Sequence, residues 1–377
     1  MSKRLPAIHP FAIVIFVVLS ALTATSQQPV LTPQNSNTNA LLIAVSPVDE
    51  NVVWAAGTNS TFVVTTDGGN TWRAGIVPTE TGGDLQFRDV QGVSAQVAYL
   101  LSIGNFPGDF RIYKTEDGGT TWTLQFKNQL VGAFYDCFAF WTPIHGIAHS
   151  DSVNGVFPDL RTTDGMTWQS IAGNMPPALP GEASFSSSGT CVATQGTSNA
   201  WITTGGSTIA RILATTDGGN TWAAYDTPLH SSPTAGGFTV AFRDASNGIL
   251  GGGDLVPANA STAAQVATSH DGGQTWELTN WPPVGYAIFG LAYLSNTTGV
   301  GGGGQQRSAQ KVTTSGTDYT RTVVITADIG GAAWTPDEGT TWNTLPGVTG
   351  YWAVAFANPQ NGWMVGQNGS ILKVSFP

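Results

Sequence analysis

Few side chains in this 377-residue sequence have a type and spacing that could do chemistry. Asp89 and Asp136 each lie near the start of an apolar run, one repeat unit apart. Such a carboxyl pair could act as acid and base on a glycosidic bond if it stood roughly 5–9.5 Å apart. Only Arg88 stands beside them as a cation. His145 and His149 are four apart, which on a strand puts both on one face but about 13 Å from each other at ~3.3 Å per residue. That is too far to share a metal ion. No Gly-rich phosphate loop follows a strand and opens a helix, and no Ser-His-Asp set stands out in so Ser-rich a chain. No metal ion and no cofactor is expected. What does recur is an Asp four or five residues before a Trp: Asp67 and Trp72, Asp117 and Trp122, Asp164 and Trp168, Asp217 and Trp222, Asp271 and Trp276, Asp337 and Trp342. The fullest copy reads TTDGGNTW. Either it is a calcium or sugar site used six times, or it is a turn needed once per structural unit.

The elements around the motif favour the turn. A strand enters it and another leaves from the Trp, as in RILATTDGGNTWAAYDT (Arg211–Thr227). Between copies runs a hairpin of two apolar strands about an Asn/Gly/Asp turn, as in GFTVAFRDASNGILGGG (Gly237–Gly253) and YWAVAFANPQNGWMVGQ (Tyr351–Gln367). YAIFGLAYLSNTTGVGGGG (Tyr286–Gly304) reads the same way. One unit is therefore a meander of four strands, A to D. Successive Asp residues are 47 to 66 positions apart, the length of a propeller blade. Seven A–B hairpins begin near Leu41, Leu85, Phe134, Ala183, Gly237, Tyr286 and Tyr351. The last unit ends without a D strand, and Gln28–Gln34 is available to supply one and close the ring. The fold class expected is all-β: a seven-bladed propeller over residues 27–377.

The repeated octapeptide resembles the Asp-box, or BNR repeat, of sialidases, sortilin-type receptor ectodomains, xyloglucan-cleaving glycosidases and photosystem II assembly-factor propellers. The resemblance covers Leu41–Pro377 and is specific for the fold, since the box occurs in enzymes and non-enzymes alike. It implies that the box is the C–D turn, with Asp accepting backbone N–H groups and Gly at positive φ. The copy TDGMTW, one residue short, should be distorted. In blade count and box density the layout is closest to the assembly factors, whose photosynthetic client is not carried over.

In the sialidase-like families the ligand lies on the face opposite the boxes, where the B–C and D–A loops meet. Aromatic residues recur there at the starts of the A strands: Tyr135, Phe238, Tyr286, Tyr351 and Trp352, with Arg88. They read either as a pocket for a sugar or peptide, or as packing between blades. A sialidase-like site needs three Arg, and only Arg88 is well placed. A loop read as the B–C connection of the sixth unit, Gln305–Thr322, brings Arg307, Lys311 and Arg321. It is a partner-binding arm or a solvated insertion. The functional expectation is an exported, non-catalytic binding or assembly propeller for a protein or glycan. The alternative is a sialidase-like glycoside hydrolase acting on extracellular polysaccharide through Asp89 and Asp136.

Charge and the N-terminus bound the setting. Lys and Arg total 14 against 24 Asp and Glu, a net charge of −10, which argues against nucleic acid as a partner. Lys3 and Arg4 precede an apolar run, Phe11–Leu22, and small residues, so residues 1–26 read as a signal peptide. The mature chain shows no membrane span and is expected to be a secreted or periplasmic monomer. The two cysteines, Cys137 and Cys191, fall at one position of strand A in adjacent units when the A–B turns are aligned. In an oxidising compartment they are expected to pair; two small buried thiols are the other reading.

Overall fold

The structure is a computed structural model that describes residues 28–79, 84–256, 264–294, 313–314 and 317–377, besides Met1. Seven four-stranded antiparallel sheets follow one another around an axis, with the A strand of each innermost. Blade 1 is Leu42–Pro47, Val53–Gly57, Thr61–Thr65 and Arg73–Ile76. Blades 2 to 6 begin with the A strands Gln86–Gly92, Tyr135–Thr142, Val192–Gln195, Ala235–Phe242 and Gly290–Tyr293. Blade 7 runs Tyr351–Asn358, Asn361–Gly366 and Ser370–Ser375. Its outer strand is Val30–Asn35, paired antiparallel from Val30 opposite Ser375 to Asn35 opposite Ser370. The N-terminal strand thus closes the ring and leaves no open edge between first and last blades.

The boxes form by local chemistry. In blade 1 the Asp67 carboxylate accepts the backbone N–H of Thr71 at 2.9 Å and its hydroxyl at 2.6 Å. The Thr65 hydroxyl donates to Asp67 at 2.8 Å and accepts the Gly69 N–H at 3.0 Å. Gly68 and Gly69 take φ of +72° and +87°, which a side chain would resist. The Thr71 donors hold the Asp67 carboxyl down at about 2, and the same arrangement does so for Asp117. In the short third box, Asp164 instead takes the N–H groups of Met166 and Thr167, both at 2.8 Å, and only Gly165 has positive φ. Each box also serves the blade before it. Lys373 donates to the Gly68 carbonyl at 3.2 Å, Arg73 to that of Gly118, Arg161 to that of Gly218 at 3.1 Å, and the Trp201 indole to that of Gly272 at 2.7 Å. Four of the scarce polar donors therefore staple neighbouring blades through box carbonyls.

Two blades depart from the sequence reading. In blade 6 the partner of Gly290–Tyr293 is Val323–Thr326, with Leu291 opposite Ile325, in place of the Gly-rich stretch up to Gly304. The β-branched run VVIT supplies buried side chains on both faces that a glycine run lacks. Leu294–Thr322 is consequently the A–B connection and leaves the blade at its box end, where the Tyr293 hydroxyl donates to Glu338 at 2.8 Å. In blade 4 the A strand begins at Val192, whereas Ala183 makes only an isolated bridge to Gly205. The residues between them cross the axis, as described below. A disulfide joins Cys137 to Cys191, Cα atoms 6.0 Å apart, and ties the inner strand of blade 3 to that of blade 4.

Candidate functional site

The A strands bring their first residues together at the mouth of the axis opposite the boxes. Phe185 and Phe238 stack in parallel with centroids 4.2 Å apart, and Phe238 lies parallel to Phe289 at 6.1 Å. Trp352 meets Phe289 edge-on at 5.0 Å, and Tyr286 does so at 5.6 Å. Phe238 is wholly buried and Phe289 nearly so, leaving Phe185, Tyr286 and Trp352 half-buried. The Arg88 guanidinium lies 5.6 Å from the Trp352 ring centroid, and it donates to the Ser186 carbonyl at 3.1 Å and to Gln86 at 3.0 Å. The five aromatics named from sequence separate here. Tyr286 and Trp352 join the mouth and Phe238 forms its floor. Tyr135 is buried between blades 2 and 3 against Phe126, its hydroxyl donating to the Pro158 carbonyl at 2.9 Å. Tyr351 is half-buried and packs on the core between blades 6 and 7.

A segment that sequence reasoning missed plugs this mouth. Ser184–Thr190 runs from blade 4 across the axis. Ser186 receives Arg88 of blade 2, and Ser188 donates to the Phe289 carbonyl of blade 6. The Thr190 hydroxyl lies 2.7 Å from that of Thr239 in blade 5. Gly189 has φ of +74°, and a Cβ there would come within 2.5 Å of the Asp89 carboxylate. The run SFSSSGT is the available signal: small polar residues and one glycine, where other blades carry apolar strand. Beneath the plug, toward the boxes, a cavity of about 140 Å³ is lined by inner-strand residues of all seven blades.

Of the two carboxylates proposed as acid and base, Asp89 is engaged in holding blades together. Asp89 is buried, and its two oxygens accept the N–H of Val90 at 2.7 Å and of Phe138 in blade 3 at 2.8 Å. It clamps blade 2 to blade 3. Burial raises its pKa against the pull of those N–H groups. Asp136 is also buried, and its carboxyl is pushed well up by burial and then by the neighbouring Asp151 carboxylate, with Arg88 opposing. Asp151 is raised by burial while accepting the Ser184 N–H at 2.8 Å. His149 belongs to this cluster, paired with Asp159 at 2.9 Å with both side chains buried, whereas His145 lies apart against Trp141. Among the described residues no three His, Cys, Asp or Glu side chains gather as a metal site requires.

Of the three basic residues assigned to an arm on this face, Arg307 and Lys311 lie outside the described residues. Arg321 sits at the opposite end of the molecule: its Nε donates to Glu338 at 2.8 Å, and Glu338 also takes Arg243 at 2.7 Å. The reason is the connectivity of blade 6, whose insertion joins A to B and therefore starts on the box face. Glu338 stands where most boxes have their first glycine, at φ of +57°.

What the non-box face does present is an arc of apolar side chains at the tips of the B–C loops. Phe106 in blade 2, Val156 in blade 3, Ile209 in blade 4, Leu255 and Val256 in blade 5 and Ile329 in blade 6 are exposed, Phe106 and Ile329 to 70% and 65%. On the turns of the box face only Ile144 and Met166 are comparably exposed large apolar residues among those described. No helix of the described residues is long and apolar enough to cross a membrane.

A BNR/Asp-box repeat profile matches residues 267–278, the fifth box. The chain is a seven-bladed β-propeller with one turn that matches the Asp-box repeat. Comparison with curated proteins finds no match. Among solved structures this propeller is similar to YCF48 bound to D1 peptide, with a TM-score of 0.58 and 16% identity over 94% of this chain and 96% of that one. It is likewise similar to YCF48 from Cyanidioschyzon merolae, with a TM-score of 0.59 and 16% identity over 92% and 98% of the two chains. At that identity the likeness concerns the fold.

Proposed function

We propose that this chain is an exported, non-catalytic propeller that binds a segment of another protein on the face opposite its Asp boxes. The observation that carries the reading is the arc of exposed apolar loop tips over blades 2 to 6. Exposed large apolar side chains gathered at one end of a propeller mark a face where a partner can dock. The mouth beside it adds half-buried Tyr286, Trp352 and Arg88, residue types enriched where interfaces bind tightly. YCF48 bound to D1 peptide is a propeller of similar layout with a peptide partner. Export is supported by the apolar run after Lys3 and Arg4 and by a disulfide, which persists in oxidising compartments.

The test uses the mature chain on peptide and glycan arrays, with the double variant Phe106→Asp/Ile329→Asp as control. Both side chains are exposed, so the variant should melt like wild type. Peptide spots should appear for wild type and fade for the variant. Spots that the variant retains, binding confined to glycans, or release of reducing sugar from polysaccharide would each defeat the proposal.

A further inference from the structure

We infer that the segment held on this face is cationic as well as apolar, a stretch in which Lys or Arg side chains alternate with hydrophobic ones. This rests on the binding reading above and adds the chemistry of the partner. The B–C and D–A connections of all seven blades contain no Lys or Arg. They do contain carboxylates, and two stand near the apolar tips in the chain: Asp109 three residues from Phe106 and Asp328 next to Ile329. Asp84, before the A strand of blade 2, is exposed, and so is Asp226 at the end of the D strand of blade 4.

The bases at this end of the molecule do not cancel that charge. Arg211 is buried in an ion pair with Glu182, which also accepts the Arg211 Nε at 2.8 Å. Arg111 is buried and stands 4.0 Å from Asp109, which keeps a quarter of its side chain exposed. Arg88 is taken up by Trp352 and Ser186, and Lys127, at the outer edge of blade 2, lies against Gly108 and so belongs with Arg111 beside Asp109. The Asp328 carboxylate accepts a neutral donor, the Gln367 amide, at 2.8 Å. Six other bases, Arg73, Lys114, Arg161, Arg243, Arg321 and Lys373, lie toward the box ends of their strands or turns. An acidic segment or an anionic lipid surface would meet Asp84 and Asp328 in connections that hold no Lys or Arg. A basic apolar segment would meet an apolar contact and a counter-charge together at the tips of blades 2 and 6.

The experiment measures binding of the mature chain to two short synthetic peptides, one alternating Leu with Lys and one alternating Leu with Glu, by fluorescence anisotropy at low and high salt. The Lys peptide should bind, weaken as salt rises, and bind at least about ten-fold more tightly than the Glu peptide. The triple variant Asp84→Asn/Asp109→Asn/Asp328→Asn should lose about ten-fold in affinity for the Lys peptide, as three exposed pairs of about 0.5 kcal/mol each would give. Asn tolerates the positive φ of Asp328, so the variant should fold. Equal affinity for both peptides, abolished by Phe106→Asp/Ile329→Asp, would overturn the inference while leaving the binding reading intact. Preference for the Glu peptide, binding of neither, an unchanged triple variant, or retention on anionic phosphatidylglycerol vesicles would also overturn it.

Discussion

Opening the Cys137–Cys191 bond perturbs the ring at its narrowest point. The bond joins residues 54 apart in sequence and links the inner strands of blades 3 and 4. In the chain-entropy model a loop of that length confines the unfolded chain by about 4 kcal/mol at 25 °C. Both cysteines are fully buried in the core cluster that holds Trp141, Phe157 and Trp222, so reductant should reach them only when the blades open. Urea unfolding of the oxidised protein, followed by the same measurement with the thiols kept reduced, isolates this contribution from packing. The variant Cys137→Ala/Cys191→Ala should lose at least as much, because two buried sulfur atoms also disappear. Since the constraint acts mainly on the unfolded chain, the reduced protein should refold more slowly while its unfolding rate changes little. Extrapolated stabilities of oxidised and reduced protein within about 1 kcal/mol of each other would refute the reasoning, given the usual 10–15% extrapolation error. So would two alkylated cysteines in the native protein.

Deleting Gln28–Asn35 should lower the melting temperature and produce oligomers on size-exclusion chromatography, because Ser370–Ser375 then becomes an unpaired edge; a monomer with wild-type melting would contradict the closure. Trp222→Ala should cost about 3–5 kcal/mol in urea unfolding without altering peptide binding by the folded fraction, since that ring packs between blades 3 and 4; lost binding at unchanged stability would point to a ligand role for the box. Asp136→Asn should flatten the dependence of melting on pH. The buried Asp136 carboxyl stays protonated well above its usual 3.8, whereas in the unfolded chain it ionises near that value, so the folded state binds the extra proton. Wild-type stability is then fully present below about 4 and declines as pH rises toward the folded value. The Asn variant should gain on wild type as pH rises from about 4, and parallel melting curves from there through neutral pH would refute the assignment.

Much of this molecule was written locally. Each box carries its own turn in Asp, Gly and Thr, and the A–B turns carry theirs, so the number of blades, their strand order and the place of the missing D strand could be read without knowing any contact. Aligning the A–B turns puts Phe140, Thr194 and Phe242 at one position and Gly146, Ala200 and Gly248 at another, and in the structure each of the first three pairs with its counterpart among the second. That register sets Cys137 beside Cys191. Turn chemistry is legible because it depends on residues a few positions apart.

Tertiary structure decided whatever depended on which distant groups met. Two apolar runs could have followed Tyr293 as the second strand of blade 6. Val323–Thr326 takes the place because its branched side chains fill the space against Leu291 and Trp334, and that choice moves Arg321 from the supposed binding face to the box face. Tyr135 and Phe238 have the same residue types as an aromatic pocket, yet packing against Phe126 and Phe185 buries them. Asp89 and Asp136 look alike in sequence. One clamps a backbone N–H of the next blade, and the other is pressed against a second carboxyl by the fold. The plug at Ser184–Thr190 exists only because four other blades present partners to it across the axis. The apolar loop tips were invisible as a group for the same reason: they are dozens of residues apart along the chain, and only the ring brings them to one face.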